Sequence, residues 1–164
     1  MAKFLLGLAI VGFTTFCGYL LSRKYRKRKV FFTEWDEFNE RFLTELSYYR
    51  RPIIEWIGEL SLRAEFGEIV EDFSKTTATQ GRETPMLLEG TDCYFLTAEE
   101  KRRVKQYFYS LGKGDSISQK NQFSAMKETL QASRKKVEED EKKYGDLYVK
   151  VGFLFGLFVL ILIV

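Results

Sequence analysis

Two stretches of this chain carry no charge, and they lie at its two ends. Residues 4–21 (FLLGLAIVGFTTFCGYLL) and 151–164 (VGFLFGLFVLILIV) bracket nearly all of the 26 Lys/Arg and 23 Asp/Glu among 164 residues. Eighteen helical residues rise about 27 Å, close to the roughly 30 Å hydrocarbon core of a bilayer. The second run rises only about 21 Å. Extending it back through Leu147, Tyr148 and Val149, with Lys150 snorkelling towards the headgroups, brings it to a spanning length. The expected organisation is all-α: an N-terminal transmembrane anchor over residues 1–22, a basic juxtamembrane segment over 23–29, a cytoplasmic helical bundle over 30–146, and a C-terminal transmembrane segment over 147–164. The middle, about 120 residues, suffices for one modest core.

The formal net charge of +3 hides an asymmetry. Residues 1–29 carry seven bases and no acid, whereas residues 30–146 sum to −5. The run RKYRKRK at 23–29, including Arg26, Lys27, Arg28 and Lys29, directly follows an uncharged 18-mer. It therefore reads as a topology signal that holds this side in the cytoplasm, in preference to a nucleic-acid patch. A cleaved signal peptide would place its positive charge before the apolar run and a small-x-small exit after it. Here one lysine precedes the run, and Leu21-Ser22-Arg23 follows it. A mildly acidic middle is a poor nucleic-acid binder, since phosphate contacts dominate that affinity.

Helical spacing organises the middle. Trp35, Phe38, Phe42, Leu46 and Tyr49, continuing to Ile53, Ile57 and Leu60, step by threes and fours, with Thr33 and Asp36 as a candidate cap. Pro52 is expected to open a second helix, because its missing N–H is tolerated in the first turn. Leu62, Phe66, Ile69, Val70 and Phe73 predict a third short helix over 62–74. Residues 75–95 break the period and read as a loop, with one turn around Met86-Leu87-Leu88. Thr97 and Glu100 form a capping box for a helix burying Val104, Phe108 and Leu111 and ending at Gly112. Asp115 and Ser116 start a last helix whose stripe is Phe123, Met126, Leu130, Ser133, Val137, Asp140, Tyr144, Leu147 and Val151. Nine of the ten residues 134–143 are charged, which suits a solvated stalk. No segment alternates with period two.

The inventory excludes much chemistry. There is no His, and the two cysteines are Cys17 and Cys93. Cys/His zinc sites, Ser-His-Asp triads and Cys-His dyads therefore have no residues to build them. Gly112-Lys-Gly-Asp-Ser116 lacks the spacing and the preceding strand of a phosphate loop, and a glycine turn followed by an N-cap explains it. Glu65, Glu68, Glu71 and Asp72 on one short helix are compatible with a carboxylate metal site, but an acidic face for binding a protein partner is the preferred reading. Glu55 to Asp72 holds six acids against one base, Arg63. The expectation is a non-enzymatic protein without cofactor or metal. Gly152 and Gly156, four apart, would admit the close approach of another helix.

From Leu96 onwards the chain resembles the stage III sporulation protein AB family of endospore-forming firmicutes. The resemblance rests on a Leu-Gly-x-x-Asp…Gln turn, here Leu111, Gly112, Asp115 and Gln119. It rests also on a Leu-Tyr…Gly-x-x-x-Gly-Leu run, here Leu147, Tyr148, Gly152, Gly156 and Leu157, with Val151 where the family has Leu. Glu45-Leu-Ser-Tyr48 and Pro52-Ile-Ile-Glu55 are similar to a further family stretch, with Arg51 replacing its Thr. The resemblance implies a bundle like the cytoplasmic domain of type II secretion platform proteins. It implies membership of the complex joining mother cell and forespore, anchored on the mother-cell side near a secretion-type ATPase, with room for a homo-oligomer. A membrane-anchored helical regulator is the alternative.

Overall fold

The computed structural model describes residues 2–49, 51–80 and 93–163. Five α-helices follow one another: α1 Ala2–Thr44, α2 Ile53–Ile57, α3 Ala64–Gln80, α4 Ala98–Ser110 and α5 Ser116–Ile163. A π-helical turn, Glu45–Tyr49, lies between α1 and α2. No strand occurs among the described residues. The chain divides into two compact units. One is Met1–Lys29 with Lys135–Val164, and the other is Val30–Arg134.

The Val30–Arg134 unit is a bundle built on aromatics. Phe31, Phe32, Trp35, Phe38 and Phe42 of α1 are buried, as are Trp56, Phe66, Phe95, Tyr107, Phe108 and Phe123. Many meet edge-on, as Phe42 and Phe123 do at 4.7 Å, Tyr107 and Phe123 at 5.1 Å, and Phe31 and Phe66 at 5.3 Å. This is the geometry that sets the positive edge of one ring against the negative face of another. One buried polar device sits in the core. Asn39 donates to the Phe123 carbonyl at 3.2 Å and accepts from the Tyr107 hydroxyl at 3.2 Å, so two polar groups are satisfied by one amide.

Several expectations hold. Thr97 and Glu100 form the reciprocal capping box of α4. Gly112 adopts φ 74°, and Asp115 accepts from the Ile117 and Ser118 N–H groups to cap α5. Pro52 does open α2, but as its N-cap and not within its first turn.

Others are corrected. The helix expected to start at a Thr33 cap begins at Ala2, because nothing in the basic run breaks it and Lys and Arg favour helix. Thr33 therefore caps nothing, and Asp36 is buried, accepting from Arg134 at 3.2 Å. The stripe fails at Tyr49, which is exposed, while Glu45 is buried. The π-helical turn explains this, since its extra residue rotates the following side chains off the face. The segment expected as a loop from residue 75 is helical to Gln80, and Cys93, Phe95 and Leu96 are buried. The turn expected at Met86–Leu88 lies outside the described residues.

The other unit is a pair of antiparallel helical segments. Contacts descend along α5 as they rise along α1: Gly7 with Leu160, Val11 with Gly156, Thr14 with Gly152, and Gly18 with Tyr148. Both helices are long and apolar enough to cross a membrane. The stripe predicted to end at Leu147 and Val151 is wrong there, for both are exposed. The seam runs instead through Tyr148, Gly152 and Gly156. A pattern stepping by 3.5 drifts about 20° per heptad around a straight helix, and four heptads separate Phe123 from Val151.

Candidate functional site

Three places gather the residues singled out in the sequence. The first is the outward side of α2 and α3. Glu68, Glu71 and Asp72 are exposed there, whereas Glu65 is 9% exposed and does not belong to the face. Glu65 lies one residue before Phe66, on the side of α3 that faces the core. Glu71 and Lys75 pair at 2.7 Å, which holds the Glu71 carboxyl below its usual range. Beside these acids runs a cleft of about 390 Å³ lined by Ile57, Leu60, Leu62 and Val70, with Glu68 and Glu71 at its edge. A cleft that mixes apolar side chains with Gly58, Gly67, Ser74 and these acids was not expected from the sequence, which showed only the charge. Among the described residues no three potential metal ligands converge.

The second place is the family turn. Leu111 is buried, Gly112 supplies the left-handed backbone, Asp115 caps α5, and the buried Gln119 donates back to the Gly114 carbonyl at 3.4 Å. The Ser118 side chain and N–H bond the Asp115 carboxyl and hold it below its usual range. All four motif residues thus have structural work in closing the α4–α5 turn. The turn also walls a small cavity of about 160 Å³ with Glu45, Arg51 and Trp56. There Arg51 donates to both Glu45 oxygens, at 2.7 and 3.1 Å, and Arg41 adds a contact at 3.1 Å. The Arg51 bonds hold the Glu45 carboxyl below its usual range, against the upward push of burial.

The sign of that shift predicts a pH effect. A carboxylate whose pKa falls on folding contributes stability above its unfolded value, about 4.3, and loses it as pH drops through the folded one. Replacing Glu45 by Gln should therefore flatten the acid limb of the bundle's stability profile and lower stability at pH 7. Urea titrations between pH 3 and 7 check this; an unchanged acid limb would assign it to other carboxylates.

The third place is the helix pair. A Cβ on Gly152 would lie 2.5 Å from the Thr14 carbonyl oxygen, and one on Gly156 would lie 2.7 Å from the Val11 Cα. The two glycines do admit close approach, and the helix they admit is α1 of the same chain. Basic residues read as a topology signal are also partnered here: Arg28 lies 3.5 Å from Asp140 and Lys29 3.2 Å from Glu141. Arg26 is exposed and Lys27 half-buried. The charged run 134–143 is thus in part a partner for the basic run, beyond a solvated stalk. Tyr25, Tyr144 and Tyr148 cluster one turn further along, with ring centroids 5.4 to 6.3 Å apart.

The sequence reading passed over one surface. The outward side of α4 and the turn after it carry Arg102, Lys105 and Tyr109 exposed, with Lys113 lying 3.5 Å over the Tyr109 ring. The signal was present as five bases and no acid between residues 101 and 113. The overall negative charge of the middle concealed it.

Compared with known protein families, residues 3–164 match the family model for stage III sporulation protein AB. No curated protein and no solved structure matches the chain.

Proposed function

The chain belongs to the stage III sporulation protein AB family, and we propose that within stage III of sporulation it is a non-enzymatic membrane platform, holding other proteins of a secretion-like complex at the mother-cell membrane. The family match over essentially the whole chain carries this reading. Support comes from two terminal helices of spanning length and composition, which suit a protein that anchors twice and presents a bundle between its anchors. The basic run after the first apolar segment favours the bundle on the cytoplasmic side. There the secretion-type ATPase implied by the resemblance would be its neighbour. The exposed acids Glu68, Glu71 and Asp72, beside a partly apolar cleft, suit an electropositive protein partner: charge would speed encounter and fix register while the cleft supplies apolar contact.

Co-purification tests the platform. The full-length chain, extracted from sporulating cells, should bring the ATPase with it. Reversing Glu68, Glu71 and Asp72 to Lys should leave the bundle folded, since all three side chains are exposed, but lower assembly of the complex and the yield of spores. A reversed chain that assembles and sporulates as the wild type would remove the acidic face from the proposal. Absence of the ATPase from the purified wild-type complex would remove the docking role.

A further inference from the structure

We propose that the electropositive partner of the acidic cleft is a second copy of this chain, presenting the basic outward side of α4. The inference rests on the reading that this cleft engages an electropositive protein. Its occupant must bring positive charge for Glu68, Glu71 and Asp72 and an apolar group for Ile57, Leu60, Leu62 and Val70 in the cleft. The α4 side of the same bundle offers both. Arg102 and Lys105 are exposed, Lys101 is half-exposed, and Tyr109 on the same helix is 57% exposed.

Local structure does not account for this basic cluster. Lys101 closes the first turn of α4, where the helix dipole disfavours a cation. Arg103 is compensated by Glu99 at 3.1 Å. Among the described residues neither Arg102 nor Lys105 has an ion-pair partner, and neither does Glu68. Glu68 on α3 and Arg102 and Lys105 on α4 are charges of opposite sign that suit a contact between two copies.

Because the sets differ, the contact is head-to-tail: each copy uses its cleft on one neighbour and its α4 side on the other. Such contacts extend into a ring or an open row. Anchoring in one membrane raises the effective concentration of copies, so an individually weak contact suffices. Being made through exposed charges, it weakens as salt rises.

Sedimentation of full-length chains in detergent micelles tests this with two variants. One carries Glu68→Lys, Glu71→Lys and Asp72→Lys, and the other carries Arg102→Glu and Lys105→Glu. The wild type should self-associate with increasing concentration, less at higher salt. Each variant alone should self-associate at least tenfold more weakly. A one-to-one mixture restores opposite charges at both contacts, native at one and reversed at the other, and should regain self-association. A monomeric wild type, variants that associate as the wild type does, or a mixture no better than either variant would each overturn the inference. If the acidic variant fails to assemble in cells yet self-associates normally in micelles, the cleft has another partner: the inference falls and the reading beneath it stands. If the variant is normal in both, both fall.

Discussion

Replacing Gly156 by Leu is expected to part the two terminal helices, whereas the same change at Gly12 should be tolerated. A Cβ at Gly156 would meet the Thr14 Oγ1 at 2.5 Å and the Val11 Cα at 2.7 Å, while a Cβ at Gly12 has nothing within 4 Å. The Thr14 hydroxyl already bonds the Ile10 carbonyl at 3.0 Å, so its rotation away from an intruding methyl costs that bond. The Val11 contact is worse, because it is backbone. The helices must move apart, and every contact of the seam, from Leu160 to Tyr148, loosens with them. Overpacking of this kind costs about 3 kcal/mol when no flexible side chain can yield. In lipid no hydrophobic force between the helices would compensate, since packing itself drives their association. Cysteines at Tyr25 and Tyr148, whose rings stand 5.8 Å apart, give the readout through a short bis-maleimide. Cross-linking should fall severalfold with Gly156→Leu and stay unchanged with Gly12→Leu. Equal yields in the two would mean that the seam does not depend on the glycine.

The contrast between these glycines marks how far the sequence could be read. The Gly152–Gly156 spacing announced a close approach without naming its partner. Thr14 and Gly18 answer it from a distant part of the sequence, and small residues in an apolar run leave no mark of the face they occupy. The bundle was legible wherever burial followed a simple period, as at Trp35, Phe38, Phe42, Val104, Phe108 and Phe123. It was illegible where a polar residue is buried with a partner far away. Asp36 and Arg134 are 98 residues apart, and Asn39 and Tyr107 are 68 apart. Nothing local distinguishes such an Asp from a surface one. The π-helical turn is a further case, since it shifts Glu45 inward and Tyr49 outward without any breaker at its start. At the candidate site, the acids were legible as composition. Whether each pointed outward depended on the rotation of α3, which put Glu65 inside.

The largest loss of stability is expected from Phe108→Ala. This ring is 1% exposed and packs against Phe38, Phe66, Phe73 and Tyr107 at centroid separations of 5.3 to 6.0 Å. It joins α1, α3 and α4 in one contact cluster, so its removal leaves a cavity that no single helix can close. Truncating a buried Phe to Ala costs about 3–5 kcal/mol. Domains of this size are stable by about 5–15 kcal/mol, so the variant should lie near its unfolding threshold. The measurement can be confined to the bundle, because both tryptophans of the chain, Trp35 and Trp56, are buried within it. Urea unfolding of the full-length chain in micelles, followed by tryptophan emission, therefore reports Val30–Arg134 alone. Leu130→Ala, at a residue 2% exposed, should show a smaller loss, about 2–4 kcal/mol. Leu147→Ala should show almost none, since Leu147 is 44% exposed and belongs to the other unit. An unfolding midpoint for Phe108→Ala within error of the wild type would mean that the aromatic cluster does not hold the bundle together.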